Sequence, residues 1–193
     1  MSSAPRYSEG SANARRLCLG TSGRAINFIV RRQDVIVNTI DLERYLHEHI
    51  PLSKAMQVSV VSVQSDGVTL RAPLAPNINH RDTVFGGSAS ALAILAGWSF
   101  LHTRLAGTGL ADRLVIQRNT VNYDLPMAGS FTARSFIKTP AAWELFVRIL
   151  KRRGRGRLTV SCILEFAGQT AGRFEGEFVA LARMAPNQRL KRP

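Results

Sequence analysis

One long apolar segment, preceded by a polar loop, constrains the fold of this chain more than any other part of its sequence. The loop over 77–85 carries short polar residues and leads to the pair Gly86-Gly87. From Val84 to about Leu105 the sequence is rich in alanine and leucine, and it has no charged residue before Arg104. A helix that is apolar nearly all round must be surrounded by other structure. The sequence therefore predicts a central helix over 84–105, wrapped by the rest of the chain.

The start of this predicted helix is a candidate binding site. The first amide N–H groups of a helix have no acceptor within the helix, and the helix dipole makes this end positive. Glycines at 86 and 87 let a ligand approach these amides closely. We therefore expect the start of the helix to bind an oxyanion or a polarised carbonyl group.

Shorter periodic segments flank the central helix. A helix over 41–50 is predicted, with Thr39 or Asp41 as its N-cap and Pro51 as its stop. Asp66-Gly67 separates two runs of alternating apolar and polar residues, which predicts a hairpin. The expected elements are strands 56–63 and 68–72, strands 113–123 and 130–138, a helix 140–153 between Thr139 and Gly154, and strands 158–166 and 174–182.

The order of these elements predicts the fold class. The strands are joined largely by hairpins, and no glycine-rich phosphate loop follows the first strand, so a doubly wound parallel sheet is disfavoured. We expect an α+β fold, in which a curved and mainly antiparallel sheet wraps one long helix. The chain has 193 residues, which suits one domain, and we assign 37–185 to it.

A net charge of +13 indicates a polyanionic or acidic partner. Nucleic acid is not expected, because neither zinc-finger spacing nor an aromatic RNA-binding strand accompanies the charge. The basic residues cluster at 151–157 and in a tail at 186–193. A solvated turn beside a helix end explains the first cluster equally well.

Cysteine and histidine usage argues against a disulfide framework, a metal or another cofactor. The two cysteines, Cys18 and Cys162, are far apart, which favours a reducing compartment and a cytoplasmic protein. The four histidines have no ligand-like partners, so neither a metal nor a cofactor is expected. The longest apolar run is interrupted by polar residues, so no association with a membrane is expected.

Residues 1–36 differ from the rest, because they are rich in serine, glycine, alanine and arginine and have no sustained period. This composition is typical of a transit peptide and also of a disordered extension. A third interpretation is upstream translation, with the true start near Val35 or Val37. The sequence is compatible with all three interpretations, and we assign the segment no function.

The hairpin, the polar loop, the Gly-Gly helix and the segment Val121-Asn122-Tyr123-Asp124-Leu125-Pro126 resemble the hot-dog fold of thioesterases and dehydratases. Within it, residues 77–88 (NINHRDTVFGGS) followed by Leu95-Ala96-Gly97-Trp98 resemble the thioesterase-like family found as the C-terminal domain of YiiD-type proteins. The similarity covers about residues 40–183. No segment of the sequence resembles the acetyltransferase-like domain of the fused family members, so we expect the stand-alone form.

The resemblance implies an acyl thioester of coenzyme A or acyl carrier protein as substrate, and a role in fatty acid metabolism. It places the thioester carbonyl at the amide of Gly87 or Ser88 and the acyl chain beside the helix, with a homodimer or dimer of dimers completing each site. Losing one oxyanion donor costs a factor on the order of 100 to 1,000 in rate. The residues assigned to substrate binding are Asn77, His80, Phe85, Gly86, Ser88, Arg152, Arg153 and Arg155.

Hydrolysis also requires a group that activates water, and the central helix has no carboxylate to do so. Asp82 is the nearest carboxylate and serves as a general base if burial raises its pKa; the alternative is a turn or capping role. Asn79 can polarise the carbonyl or hold a turn. His80 is a further candidate base, and the alternative is a hydrogen-bonding spacer. Ser88 is expected to cap the first turn, since no His-Asp pair is placed to activate it.

The missing helix carboxylate leaves a second reaction open. Decarboxylation of a malonyl thioester needs an oxyanion hole and an asparagine that orients the malonyl group, and Asn79 with Gly87 fits those needs without a base. A dimer that binds acyl-CoA without turning it over is the other alternative. Hydrolysis is the first hypothesis.

Overall fold

The computed structural model describes residues 38–106, 108–111 and 113–182. The expectations for residues 1–36 and for the basic tail at 186–193 lie outside the described residues. The elements, in chain order, are α1 (Thr39–His49), α2 (Pro51–Ala55), β1 (Ser59–Gln64), β2 (Gly67–Ala72), a short 3-10 turn (Ala75–Asn77), α3 (Gly86–Leu105), β3 (Arg113–Tyr123), β4 (Phe131–Phe136), α4 (Pro140–Arg153), β5 (Arg155–Phe166) and β6 (Gln169–Leu181).

The six strands form one antiparallel sheet in the order β1-β2-β4-β5-β6-β3. The sheet curves around α3, so the predicted α+β class is confirmed. The predicted hairpin is confirmed too, since Gln64 pairs with Gly67 across a two-residue turn. Glycine is needed at position 67, because a Cβ there would lie 2.0 Å from the carbonyl oxygen of Ser135 on β4.

The central helix α3 is buried against the concave face of the sheet, as its composition predicts. Large side chains such as Leu92 and Phe100 are fully buried, and each contributes about 1.5–3 kcal/mol through removal of apolar surface from water. Small residues let the sheet come close. At Gly97, for example, a Cβ would lie 3.0 Å from the ring of Phe178 on β6. None of the described helices is both long and apolar enough to cross a lipid bilayer.

Several predicted element boundaries were wrong, and side-chain capping explains one of them. The N-cap of α1 is Asn38, whose Oδ1 accepts a hydrogen bond of 2.9 Å from the amide of Asp41; neither Thr39 nor Asp41 is the cap. Strands β5 and β6 are longer than predicted. They meet at a two-residue turn whose residues, Ala167 and Gly168, both have positive φ.

Helix α4 lies beside the first half of β5, where β4 has already ended at its pairing of Phe136 with Ser161. Its ends are as predicted: it follows Thr139 and stops at Gly154, which is left-handed with φ 66°. Thr139, however, makes no capping bond with its side chain. Buried Phe146 and Leu150 attach α4 to β5, against Gly156.

Four aromatic rings stack where α1 meets α3. Tyr45 lies 4.2 Å from His49 and 4.8 Å from His102, between ring centroids, and Trp98 lies 4.4 Å from His102. Burial lowers the pKa of His102 from 6.5 to about 4, and the charge of His49 adds to the effect. The folded protein therefore holds His102 neutral.

Acid is expected to destabilise the fold through His102. As pH falls from about 6.5 to about 4, the unfolded chain binds a proton that the folded chain does not, so this group lowers the free energy of unfolding by up to about 1.4 kcal/mol per pH unit. His102→Phe keeps an aromatic ring and removes the titration. Urea unfolding at about pH 7 and about pH 5 should therefore show a smaller acid loss in the variant. An equal loss in both proteins would contradict the assignment.

Candidate active site

The polar loop before α3 is closed by backbone hydrogen bonds. Ile78 and Val84 form an isolated antiparallel bridge, and the amide of Asn79 donates to the carbonyl of Thr83 at 2.8 Å. The amide of Asp82 in turn donates to the carbonyl of Asn79 at 3.2 Å. Residues 78–84 thus form a compact turn that delivers the chain to the start of α3.

The side chain of Asn79 holds this turn together. Its Nδ2 donates to Thr83 Oγ1 at 3.0 Å and to the carbonyl of Val84 at 3.2 Å, and its Oδ1 accepts from the amide of Arg81 at 2.7 Å. An asparagine amide has two N–H donors, and both are used here. In this conformation Asn79 has no donor left to polarise a carbonyl. Its catalytic role stays a prediction that requires the loop to rearrange.

Asn77 is buried beneath the loop, with 1% of its surface exposed. Its side-chain Nδ2 donates to the backbone carbonyls of Met56 and Pro73 at 3.0 and 2.8 Å. The backbone carbonyl of Asn77 accepts from the amide of Phe85 at 2.7 Å. These bonds tie the loop to the core. The geometry gives Asn77 an anchoring function. Its side chain is buried and not exposed to the predicted substrate.

The first turn of α3 has free amides, as expected from its glycines. The N-cap is Phe85, which makes no capping bond with its side chain, and Ser88 does not cap the helix either. Within the described ranges, the amides of Gly86, Gly87 and Ser88 have no acceptor. Three adjacent donors lie at the positive end of a 20-residue helix, an arrangement that is suited to binding an anion.

The ring of Phe85 covers one side of this surface. A Cβ placed on Gly87 would lie 2.2 Å from Phe85 Cε1, so only glycine allows the ring its present position. The ring is 57% exposed. Ile78, Tyr123 and Leu125 are also about half exposed on neighbouring segments. The start of α3 therefore combines free amides with exposed apolar side chains.

Tyr123, at the end of β3, contacts the start of α3 and was not among the predicted site residues. Its hydroxyl donates to the carbonyl of Gly86 at 2.8 Å, and its ring lies 3.4 Å from where a Cβ of Gly86 would be. Burial raises the pKa of Tyr123, and a hydrogen bond with Ser90 opposes the rise. The only signal in the sequence was its place in the Val121–Pro126 segment.

The two candidate bases are exposed in the single chain. Asp82 has a left-handed backbone, with φ 56°, and its carboxylate accepts no hydrogen bond from the residues described. His80 is exposed as well, and its Nε2 accepts a hydrogen bond of 3.3 Å from Arg81. The burial that would adapt Asp82 to base catalysis is therefore not supplied by this chain alone.

The predicted arginines lie far from the start of α3. Arg155 pairs with Leu181, and Leu181 pairs with Arg113 at the first residue of β3, whereas Gly86 contacts Tyr123 at the last. Strand β3 has eleven residues from one end to the other, which spans about 30 Å. Arg152 and Arg153 lie three and two positions before Arg155 in the chain. Within one chain these three residues and Gly87 cannot contact the same thioester group.

Among the residues that the structure describes, no group of three or more His, Cys, Asp or Glu side chains could hold a metal ion. Cys162 is buried, and burial raises the pKa of its thiol. Its Sγ donates to the carbonyl of Ala93 at 3.3 Å. Cys162 is therefore a packing residue between β5 and α3.

The family of this chain follows from its sequence. The model of the family described as "Putative thioesterase (yiiD_Cterm)" matches residues 39–182, which include the loop, α3 and all six strands. The chain belongs to this family. Its predicted resemblance is thereby confirmed, and the thioesterase-like character of the chain with it.

Solved structures similar to this chain support its assignment to the hot-dog fold. A protein of unknown function from Chlorobaculum tepidum TLS has 23% sequence identity and a TM-score of 0.70, with 75% of this chain and 94% of that chain covered. A thioesterase of Shewanella oneidensis, also described as putative, has 24% identity and a TM-score of 0.65, with 74% and 96% covered. A probable thioesterase of Pseudomonas aeruginosa has 18% identity and a TM-score of 0.64, with 75% and 96% covered. At these identities the likeness shows the fold alone.

Proposed function

We propose that this protein hydrolyses acyl thioesters carried by coenzyme A or acyl carrier protein. The observation that carries the proposal is the uncapped start of α3 in a chain of a thioesterase family. Hydrolysis of a thioester passes through a tetrahedral oxyanion, and preorganised amide donors stabilise that charge. The amide of Gly87 or Ser88 is the proposed oxyanion donor.

In the proposed reaction, water attacks the thioester carbonyl while the carbonyl oxygen lies against the free amides of α3. Asp82 accepts the proton of the water, the tetrahedral oxyanion collapses, and the carbon–sulfur bond breaks. The thiolate leaves and takes the proton back from Asp82. Asp82 is chosen because α3 has no carboxylate and Asp82 lies on the turn that delivers the chain to α3.

A homodimer is part of the proposal, because β3 is an open edge of the sheet. This strand has 11 residues, most of them exposed, and it pairs only with β6 among the described strands. Native proteins cover or pair such long edges. Two-fold pairing of β3 with the β3 of a second copy would close the edge and cover Tyr123 and Phe85 at the start of α3. It would also supply the burial that Asp82 lacks in the single chain.

Neither alternative function has a specific observation in its favour. Decarboxylation of malonyl thioesters requires an asparagine donor for the malonyl group, and both donors of the Asn79 amide are occupied within the loop. A non-catalytic acyl-CoA-binding dimer would need only the affinity of the same amides. Both alternatives are outcomes of the experiment that tests the proposal.

The test is mass spectrometry of the full chain incubated with medium-chain acyl and malonyl thioesters, each on coenzyme A and on acyl carrier protein. Free thiol together with free acid is the expected product. Conversion of malonyl to acetyl thioester with the thioester intact would replace hydrolysis by decarboxylation. Binding of acyl-CoA without any product would establish the non-catalytic alternative.

A further inference from the structure

A concentration of positive charge lies on α4 and on the turn after it. Residues 138–157 hold seven lysines and arginines and one acidic residue, Glu144. Two of the seven contact carboxylates: Lys138 contacts Glu175, and Arg157 lies 3.4 Å from Glu177. The remaining five are exposed and pair with no carboxylate among residues 38–182 outside the gaps at 107 and 112; they are Arg148, Lys151, Arg152, Arg153 and Arg155.

The exposed side of α4 combines these charges with an apolar groove. Leu145, which is 49% exposed, and Ile149 lie one helical turn apart. Between them and β5 runs a groove of about 280 Å³, and a second hollow of about 250 Å³ adjoins it on the same helix. We call the two together the α4 groove. Its apolar side chains are Ile137, Ala142, Leu145, Ile149 and Leu158, and its basic ones include Arg148, Arg152 and Arg157.

We propose that the α4 groove docks an acidic helix of the carrier protein that presents the acyl thioester. The inference rests on the proposed function and selects acyl carrier protein over coenzyme A. An amphipathic helix would place apolar side chains against Leu145 and Ile149 and its carboxylates beside the arginines, which is the pattern of helix-in-groove recognition with complementary charge.

The extent and chemistry of the α4 groove favour a protein over smaller or simpler anions. Helix α4 has 14 residues and is about 20 Å long, and apolar side chains lie between its charges. Coenzyme A has phosphates but no apolar helical face to cover Leu145 and Ile149. A nucleic acid would use the charges through its phosphates and leave the apolar groove empty.

The position of the α4 groove determines which active site it serves. The basic end of α4 lies about 30 Å from Gly87 of the same chain, along the length of the β3 ladder. In the proposed dimer, antiparallel pairing of β3 with its copy sets Tyr123 of one subunit beside Arg113 of the partner subunit. The start of α3 in one subunit then faces the basic end of the other. A carrier docked on one subunit therefore delivers its acyl group to the site of the other.

Charge reversal tests the docking. The double variant Arg148→Glu/Lys151→Glu changes two exposed residues of α4 that are not assigned to substrate binding. It should raise KM for a medium-chain acyl group on acyl carrier protein on the order of 100-fold, with kcat and the hydrolysis of the same acyl-CoA unchanged. The matched control is Arg71→Glu/Arg134→Glu, which makes the same charge change at two exposed residues of β2 and β4. The control variant should hydrolyse both substrates with the KM and kcat of the parent protein.

Each other outcome of this experiment overturns one part of the argument. Equal KM for the carrier substrate in the variant, the control and the parent would exclude docking on α4. A parallel loss of acyl-CoA hydrolysis would show that these basic residues of α4 bind the coenzyme. Absence of hydrolysis of either substrate by the parent protein would overturn the proposed function. Retention of nucleic acid by the parent and its loss in the variant would reassign the α4 groove to that partner.

Mixed dimers test delivery to the other subunit. One chain carries Arg148→Glu/Lys151→Glu and the other carries Gly87→Pro, so each chain has one intact part. With delivery between subunits, the mixed dimer combines an intact groove with an intact site. At a carrier concentration below the parent KM, it should recover about half of the parent activity on the carrier substrate. With delivery within a subunit, neither chain has both an intact groove and an intact site, so no activity is recovered. Activity no higher than that of the two homodimers would overturn delivery between subunits.

Discussion

Replacing Gly87 with proline is expected to lower kcat for thioester hydrolysis by a factor on the order of 100 to 1,000, which is the usual cost of losing one oxyanion donor. Proline removes the amide hydrogen and adds no charge. The first turn of a helix tolerates proline, because its N–H groups have no helical acceptor. Rates with a medium-chain acyl thioester, measured by thiol release, check the expectation.

The control for this variant is Gly87→Ala. Alanine retains the N–H but adds the same Cβ, which meets the ring of Phe85, so it isolates the effect of the donor from the effect of the ring's displacement. The exposed ring can swing away from the new Cβ. Equal rates for the proline and alanine variants would remove the Gly87 amide from the oxyanion site. The pair Ser88→Pro and Ser88→Ala then tests the neighbouring donor in the same way.

Replacing Asp82 with asparagine is expected to lower kcat by a factor on the order of 100 to 10,000, the range of general-base contributions. Asparagine has nearly the same shape, and it also tolerates the left-handed backbone found at this residue, so the turn should be preserved. The change removes only the capacity to accept a proton. Thiol release under saturating substrate measures the effect, and far-ultraviolet circular dichroism checks the fold.

Asp66→Asn is the control for the carboxylate. Asp66 is an exposed aspartate in the turn between β1 and β2, and its neutralisation changes the net charge by the same amount. Full activity of the Asp82 variant would exclude Asp82 as the base. If that variant loses hydrolysis but converts malonyl to acetyl thioester, the amides of α3 support a decarboxylase instead.

The candidate site shows why residue type alone was a poor guide to role. Asn77 and Asn79 both suggest substrate contacts in the sequence, yet their amides hold the loop against Met56, Pro73 and Thr83. The demand for the two Asn77 bonds arises from the backbone carbonyls of Met56 and Pro73, because buried carbonyls must be paired. A sequence pattern does not record which carbonyls are buried, so the anchoring roles emerged only in three dimensions.

Local patterns in the sequence determined the elements of this fold. The all-round apolar composition of α3 requires a surrounding sheet, the turn residues Ser65-Asp66 connect the first hairpin, and Gly154 ends α4 in a left-handed conformation. Each of these features depends on residues within a few positions of one another. Periodicity and turn chemistry therefore suffice to predict them. The free amides at Gly86-Gly87 are also predictable from local sequence, because the first amides of any helix lack an acceptor within the helix.

Contacts between residues distant in sequence decided the rest. The bond from Tyr123 to Gly86 spans 37 positions, and the length of β3 separates the arginines of α4 from the start of α3 in one chain. The extensions of β5 and β6 came from pairing across the sheet, which stabilises residues that lack a strand pattern of their own. Such positions follow from strand order and register. These are properties of the whole sheet, so only the tertiary structure could place the residues around the site.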